Sequence, residues 1–151
     1  LNGQSRMAMD KMRDIVWAMD SRRDKFLNLK DRMSTFAISQ FQYSDIEFTF
    51  DMNGVDSNQF ISPDIRQNLY FIFKEAITNA LKHSNGDLVQ ISLHKEQNRL
   101  TLSVKDNGTG FKTEQTEGLG LSNIRMRAER INAAVTIVTD FGFEVRVNVI
   151  L

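Results

Sequence analysis

The stretch SPDIRQNLYFIFKEAITNALKHS, residues 62 to 84, constrains this chain more than any other. Ser62 offers an N-cap oxygen, and Pro63 sits in the first turn, where its missing N–H costs nothing. Apolar residues then recur at Ile65, Leu69, Phe73, Ala76 and Ala80, the spacing of one helical face. The pattern predicts a long helix that ends near residues 84 to 86. Two alternating runs follow, LVQISLHK and RLTLSVKD, separated by EQN as a hairpin would be. Upstream, DIEFTF sets Ile46, Phe48 and Phe50 against polar neighbours, the mark of a half-buried strand. Downstream, SNIRMRAERIN reads as a helix, and AVTIVTD with FEVRVNVI forms a second hairpin around FG. Helices and strands in this mixture predict an α/β fold, a two-layer sandwich with one layer of each.

The first forty residues differ. Five of the seven methionines lie there, with no proline and no alternation, and the segment reads as helix. Ala8, Met12, Ile15, Met19, Arg22, Phe26, Leu29, Met33 and Phe36 follow a 4,3 spacing, a heptad seam broken only by Arg22. Such a seam seeks a partner helix; the alternative is a helix docked on its own domain. SRRD, with Ser21 and Asp24 three apart, offers a capping box at which the helix can break and restart. Lys plus Arg and Asp plus Glu balance at 19 each, so no global basic field favours nucleic acid or an anionic membrane. Cysteine is absent, which excludes disulfides and thiolate metal sites, and two histidines leave little for a metal cluster. No apolar run approaches the roughly 18 residues of a membrane span.

Three groups of residues carry candidate chemistry. On the long helix, Glu75, Asn79 and Lys82 fall within about 60° of one another at 100° per residue. An acid, an amide and a cation in one stripe suit a magnesium-bound polyphosphate, although a solvated helix face with an ordinary ion pair has the same pattern. In DNGTGF, residues 106 to 111, a carboxylate at a strand end can accept from the exocyclic amine of adenine, where guanine shows a carbonyl oxygen. Gly108 and Gly110 lack the β-carbon that would block a base or sugar. GLGLSN, residues 118 to 123, precedes a helix whose amide dipoles can face phosphate. Between Gly110 and Gly118, FKTEQTE reads as a short polar lid.

Taken in order, an E-x-x-x-N helix, a strand ending in DNGTGF, a polar loop and GLGL opening a helix resemble the Bergerat ATP-binding fold of the GHKL superfamily, over roughly residues 42 to 151. Within it, FKEAITNALKHS and GLGLSNIRMRAERI are similar to sensor histidine kinases of the class that partners with LuxR-type response regulators. DIVWAMDSRRD resembles the second dimerisation helix of such kinases. The resemblance implies a catalytic domain over residues 41–151, preceded by a remnant of the dimerisation helix over 1–40. It further implies binding of ATP with Mg²⁺, transfer of the γ-phosphoryl group to a histidine and then to a response regulator, and a homodimer through the full-length dimerisation helices. The domain would be cytoplasmic, whether or not its parent is anchored in a membrane. Residue by residue, it implies that Asp106 binds adenine and Asn79 holds Mg²⁺. Lys82, His83, Gly108, Gly110, Phe111, Gly118, Leu119, Gly120 and Leu121 would line the nucleotide site. Glu75 is read as a magnesium-shell or polarising residue ahead of a base, because a neutral imidazole is already nucleophilic. His83 is read as structural or near phosphate, and His94 as a surface residue.

The chain departs from the family's pattern twice. The usual phosphoacceptor histidine is missing, since the first histidine is His83 inside the ATP motif, and Ala133 stands where a glycine commonly follows the last helix. Two other functions fit the same residues: an ATPase that uses Glu75 as base, and a module that binds nucleotide only to regulate a dimer.

Overall fold

A computed structural model of the chain describes residues 3–19, 25–109 and 120–151. Its elements in order are α1 (Gly3–Met19), α2 (Phe26–Phe41), β1 (Glu47–Asn53), α3 (Pro63–His83), β2 (Leu88–Glu96), β3 (Arg99–Asp106), α4 (Leu121–Arg130), β4 (Ala134–Val138) and β5 (Glu144–Ile150). The strands form one mixed sheet in the order β1-β2-β3-β5-β4; β1 runs parallel to β2 and the other pairs are antiparallel. The result is the expected two-layer α/β sandwich with an N-terminal helical segment.

Strand alternation determines which side chains meet the helices. Val89, Ile91 and Leu93 of β2, Leu100, Leu102 and Val104 of β3, and Val145, Val147 and Val149 of β5 are all buried in the apolar core. Register aligns them across the sheet: Ile91 opposite Val104, Leu93 opposite Leu102, and Leu102 opposite Val147. Helix α3 lies against this face, and α2 and α4 pack beside it. At its start, the Ser62 Oγ accepts from the Ile65 N–H at 3.4 Å, with Pro63 next in line, as the sequence pattern predicts. At its end, the Ser84 N–H donates to the Ala80 carbonyl at 3.0 Å.

The heptad seam of the first forty residues divides. Helix α1 is described as far as Met19 and α2 begins at Phe26, and the residues of the expected capping box lie outside those described. In α2, Phe26, Leu29, Met33, Ala37 and Phe41 are buried and belong to the same apolar cluster as Leu69, Phe73 and Ile77 of α3. In α1, Ala8, Met12 and Ile15 are exposed. The packed unit of this structure thus takes in α2, although the sequence groups that segment with the dimerisation remnant.

The turn after α4 dispenses with the missing glycine. Asn132 takes the left-handed conformation at φ 52°, and the Ala133 N–H donates to the Ala128 carbonyl at 2.9 Å. Asparagine tolerates that region better than other side chains do, so Ala133 is relieved of it.

Candidate nucleotide site

The continuation of β3 decides the position of the key acid. Leu100, Leu102, Val104 and Asp106 share one phase of the strand, so the period of two turns the Asp106 carboxylate towards the helices, where it is 2% exposed. A bare carboxylate in an apolar core is costly, and here backbone donors meet it. Its Oδ1 accepts from the Gly108 N–H at 2.9 Å and from the Phe143 N–H at 3.2 Å. Its own N–H donates to the Phe143 carbonyl at 3.0 Å. Burial pushes the carboxyl above the usual range, and the Gly108 and Phe143 N–H groups and the Ser84 hydroxyl pull the other way. The side chain is therefore oriented by three separate segments before any ligand arrives.

The end of α3 is laced to the same strand end. Asn107 Oδ1 accepts from the N–H groups of Asp87 and Leu88 at 2.9 and 3.0 Å, and the Thr109 N–H donates to Asn85 Oδ1 at 2.6 Å. The Ser84 Oγ and Asn85 Oδ1 approach Gly108 so closely that a β-carbon there would stand 2.8 and 2.7 Å from them. A β-carbon at 108 would force those side chains to shift, and the neighbouring Asn107 serves as a clip between β3 and the chain entering β2.

At the other end of the polar stripe, Glu75 meets the start of α4. Gly120 caps that helix at φ 70°, a backbone that favours glycine, and a β-carbon on it would overlap the end of the Glu75 side chain, which would have to shift. From Glu75 to Ser84 the helix rises about 13 Å at 1.5 Å per residue. Asn79 lies between these two anchor points and is 7% exposed, while Lys82 and His83 are exposed in the last turn, where positive charge complements the helix C-terminus. His94 is exposed on β2, as expected.

The structure thus brings Glu75 to Gly120, and Asp106 and Gly108 to the end of the helix that carries Asn79, Lys82 and His83. Leu121 is buried in the apolar core at 5% exposure. Gly110, Phe111, Gly118 and Leu119, together with the proposed lid, lie outside the described residues. Two contributors escaped the sequence reading. Ser84 follows the motif directly, in KHS, and its place beside Asp106 was within reach of the pattern. Phe143 comes from the far hairpin and gives no local signal. Arg127 of α4 also faces this region: it stacks over Phe71 at 4.4 Å, burial lowers its pKa, and the Glu75 carboxylate opposes that shift.

Several cavities accompany these contacts. One of about 460 Å³ lies among α1, α3 and α4 and is lined by Glu75, Thr78, Asn123 and Arg127 among others. Another of about 420 Å³ reaches Asn107, Gly108 and Thr109 from the β4–β5 turn, and Asp106 is not among its walls. A third of about 620 Å³ sits between α1 and α2 and touches none of the expected site residues. Among the described residues no group of three or more His, Cys, Asp or Glu side chains could hold a metal, and no helix is long and apolar enough to cross a membrane.

Residues 64–151 match the family described as histidine kinase-, DNA gyrase B-, and HSP90-like ATPase. The chain is 40% identical over 87 residues to the sensor protein VraS of Staphylococcus haemolyticus, covering 55% of this chain and 25% of that protein, so it spans about a quarter of the length of the curated relatives it matches. Among solved structures, it superposes on the histidine kinase domain of the blue-light activated histidine kinase of Erythrobacter litoralis EL346 with TM-score 0.69 at 18% identity, over 92% of this chain and 69% of that one. It superposes on full-length ShkA in complex with AMPPNP with TM-score 0.63 at 18% identity, over 80% of this chain and 28% of that one. At such identities these likenesses are of fold.

Proposed function

From the premise that the chain belongs to the histidine kinase-, DNA gyrase B- and HSP90-like ATPase family, we propose that it is the catalytic domain of a sensor histidine kinase and binds Mg·ATP along the polar stripe of α3. The observation that carries this reading is Asp106, a carboxylate turned into the core by strand phase and aimed by two backbone N–H groups. Such a group accepts from the exocyclic amine of adenine and repels the carbonyl oxygen that guanine presents. Glycine at 108 lets Ser84 and Asn85 approach the strand end beside Asp106. Asn79 is the amide that would hold Mg²⁺, with the nucleotide's own phosphates supplying further oxygens, as is usual for an ion that rarely sits in an all-protein cage. Lys82 and His83 stand at the phosphate end as charge and donor, and Gly110, Phe111, Gly118, Leu119, Gly120 and Leu121 complete the proposed lining.

When bound, Mg·ATP supplies the transferable phosphoryl group and neutralises part of its charge. An imidazole nitrogen of a histidine outside this chain attacks the γ-phosphorus, the bond to the β,γ-bridging oxygen breaks, ADP departs, and the imidazole's other proton passes to a nearby acceptor. Glu75, close to Gly120, is the residue we assign to polarise that imidazole. Onward transfer to an aspartate of a response regulator with a LuxR-type output domain follows from the resemblance of FKEAITNALKHS and GLGLSNIRMRAERI. Dimerisation would use the exposed Ala8, Met12 and Ile15 stripe of α1.

Isothermal titration tests the assignment. We expect Mg·ATP to bind and GTP to bind at least tenfold more weakly, the scale of one mismatched charge-assisted hydrogen bond. Equal affinities for the two nucleotides, or ATP binding unchanged in Asp106→Asn, would remove it.

A further inference from the structure

Helix α1 has two faces of opposite character. At 100° per residue, Ala8, Met9, Met12, Ile15 and Val16 fall on one side, and Met9, Met12, Ile15 and Val16 are 43 to 66% exposed. The opposite side carries Asp14 and Trp17, which are 3% and 8% exposed. Asp14 is the centre of a polar cluster that joins three helices: Arg32 of α2 and Lys74 of α3 form ion pairs with its two oxygens, and the Tyr70 hydroxyl donates to Oδ1 at 3.1 Å. Beside it, the Trp17 ring lies 4.9 Å from the Tyr70 ring and under the Arg66 guanidinium at 4.7 Å, and Arg66 also donates to the Trp17 carbonyl at 3.0 Å.

This is a different attachment from that of α2, which buries five apolar residues in the core. Among the described side chains of α1, one apolar residue is buried, and that area is small against the entropy of ordering a helix of this length. Beside the Trp17 contacts, the Asp14 carboxylate is the group that ties α1 to both α2 and α3. We infer that α1 is a detachable arm of the domain and that Asp14 is the latch that holds it. The arm is also a wall of the cavity that contains Glu75, through Lys11, Asp14 and Ile15. Its release opens that cavity on one side. If Glu75 serves transfer as proposed above, the docked arm restricts the acceptor's approach; the latch itself stands without that reading.

Trp17 is the single tryptophan of the chain and reports directly on the arm. The test is acrylamide quenching and emission wavelength of Trp17 in the full chain, for wild type, Asp14→Asn and Lys74→Met, with circular dichroism melts of each. We expect Asp14→Asn to shift the docked-to-released ratio by roughly tenfold or more, the scale of one lost charge-assisted bond. Trp17 would then emit at longer wavelength and be quenched more readily, with Lys74→Met intermediate and the domain's melting transition retained. Undiminished protection of Trp17 in both variants would overturn the latch. A domain that unfolds as a whole in Asp14→Asn, with Lys74→Met losing melting temperature in step with Trp17 exposure, would overturn the arm by making α1 part of the core. Neither readout needs nucleotide, so failure here is distinct from failure of the ATP assignment.

Discussion

Asp106 is a buried carboxylate whose charged form works against stability. Burial raises its carboxyl pKa in the folded state. Between the unfolded value, about 3.9, and the raised native value, the native form therefore holds more proton than the unfolded chain, and stability falls as pH rises through that interval. Asp106→Asn keeps an oxygen for the Gly108 and Phe143 N–H groups and removes the buried charge. We expect ATP affinity to drop by about 1.5 to 3 kcal/mol in titration calorimetry, with the melting temperature equal or higher. Urea unfolding across that pH interval should show a flatter dependence in the variant. Gly120 makes a second argument at this scale. Gly120→Ala faces a left-handed backbone, at about 1 to 2 kcal/mol, and overlap with Glu75. Combined with Glu75→Ala, the loss measured by chemical denaturation should be smaller than the sum of the two single effects, because truncating Glu75 removes the overlap.

At the scale of elements, the informative contrast is between two halves of one heptad seam. Met33 of α2 is fully buried and Met12 of α1 is 66% exposed, although the spacing treats them alike. Met33→Ala should cost about 2 to 5 kcal/mol in urea unfolding, and Met12→Ala within about 0.5 kcal/mol. Equal effects would mean that the seam acts as one helix. The Asp14 cluster adds a dependence on acid. Burial acts to raise the Asp14 carboxyl, but the bonds and charges of Lys74 and Arg32 outweigh it and leave the pKa lowered. The stabilisation it gives is thus complete above the ordinary aspartate value, about 3.9, and is lost as pH falls through the lower native value. Trp17 emission should report release of α1 in that acid range, and the transition should be absent in Asp14→Asn.

For the whole molecule, the core joins α2, α3, α4 and one face of a five-stranded sheet, and α1 adds Trp17 alone among its described side chains. A chain that begins at residue 25 should therefore retain a cooperative melt and bind ATP. Loss of either on removing α1 would show that the first helix belongs to the folding unit. Much of this architecture was legible beforehand, because strand and helix periods are local properties: the capped α3, the two hairpins and the strand carrying Asp106 all lie where alternation and N-cap chemistry put them. Glu75 and Asn79 lie on α3, Asp106 ends β3, and Gly120 directly precedes α4, the local placements that the pattern predicts. What only the tertiary structure decided were the pairings between distant segments: Phe143 as a donor to Asp106, Glu75 against Gly120, and α2 in the core while α1 turns its apolar stripe outwards. Periodicity states which residues share a face, and it is the competition among faces for a limited area of sheet and helix that determines what each one meets.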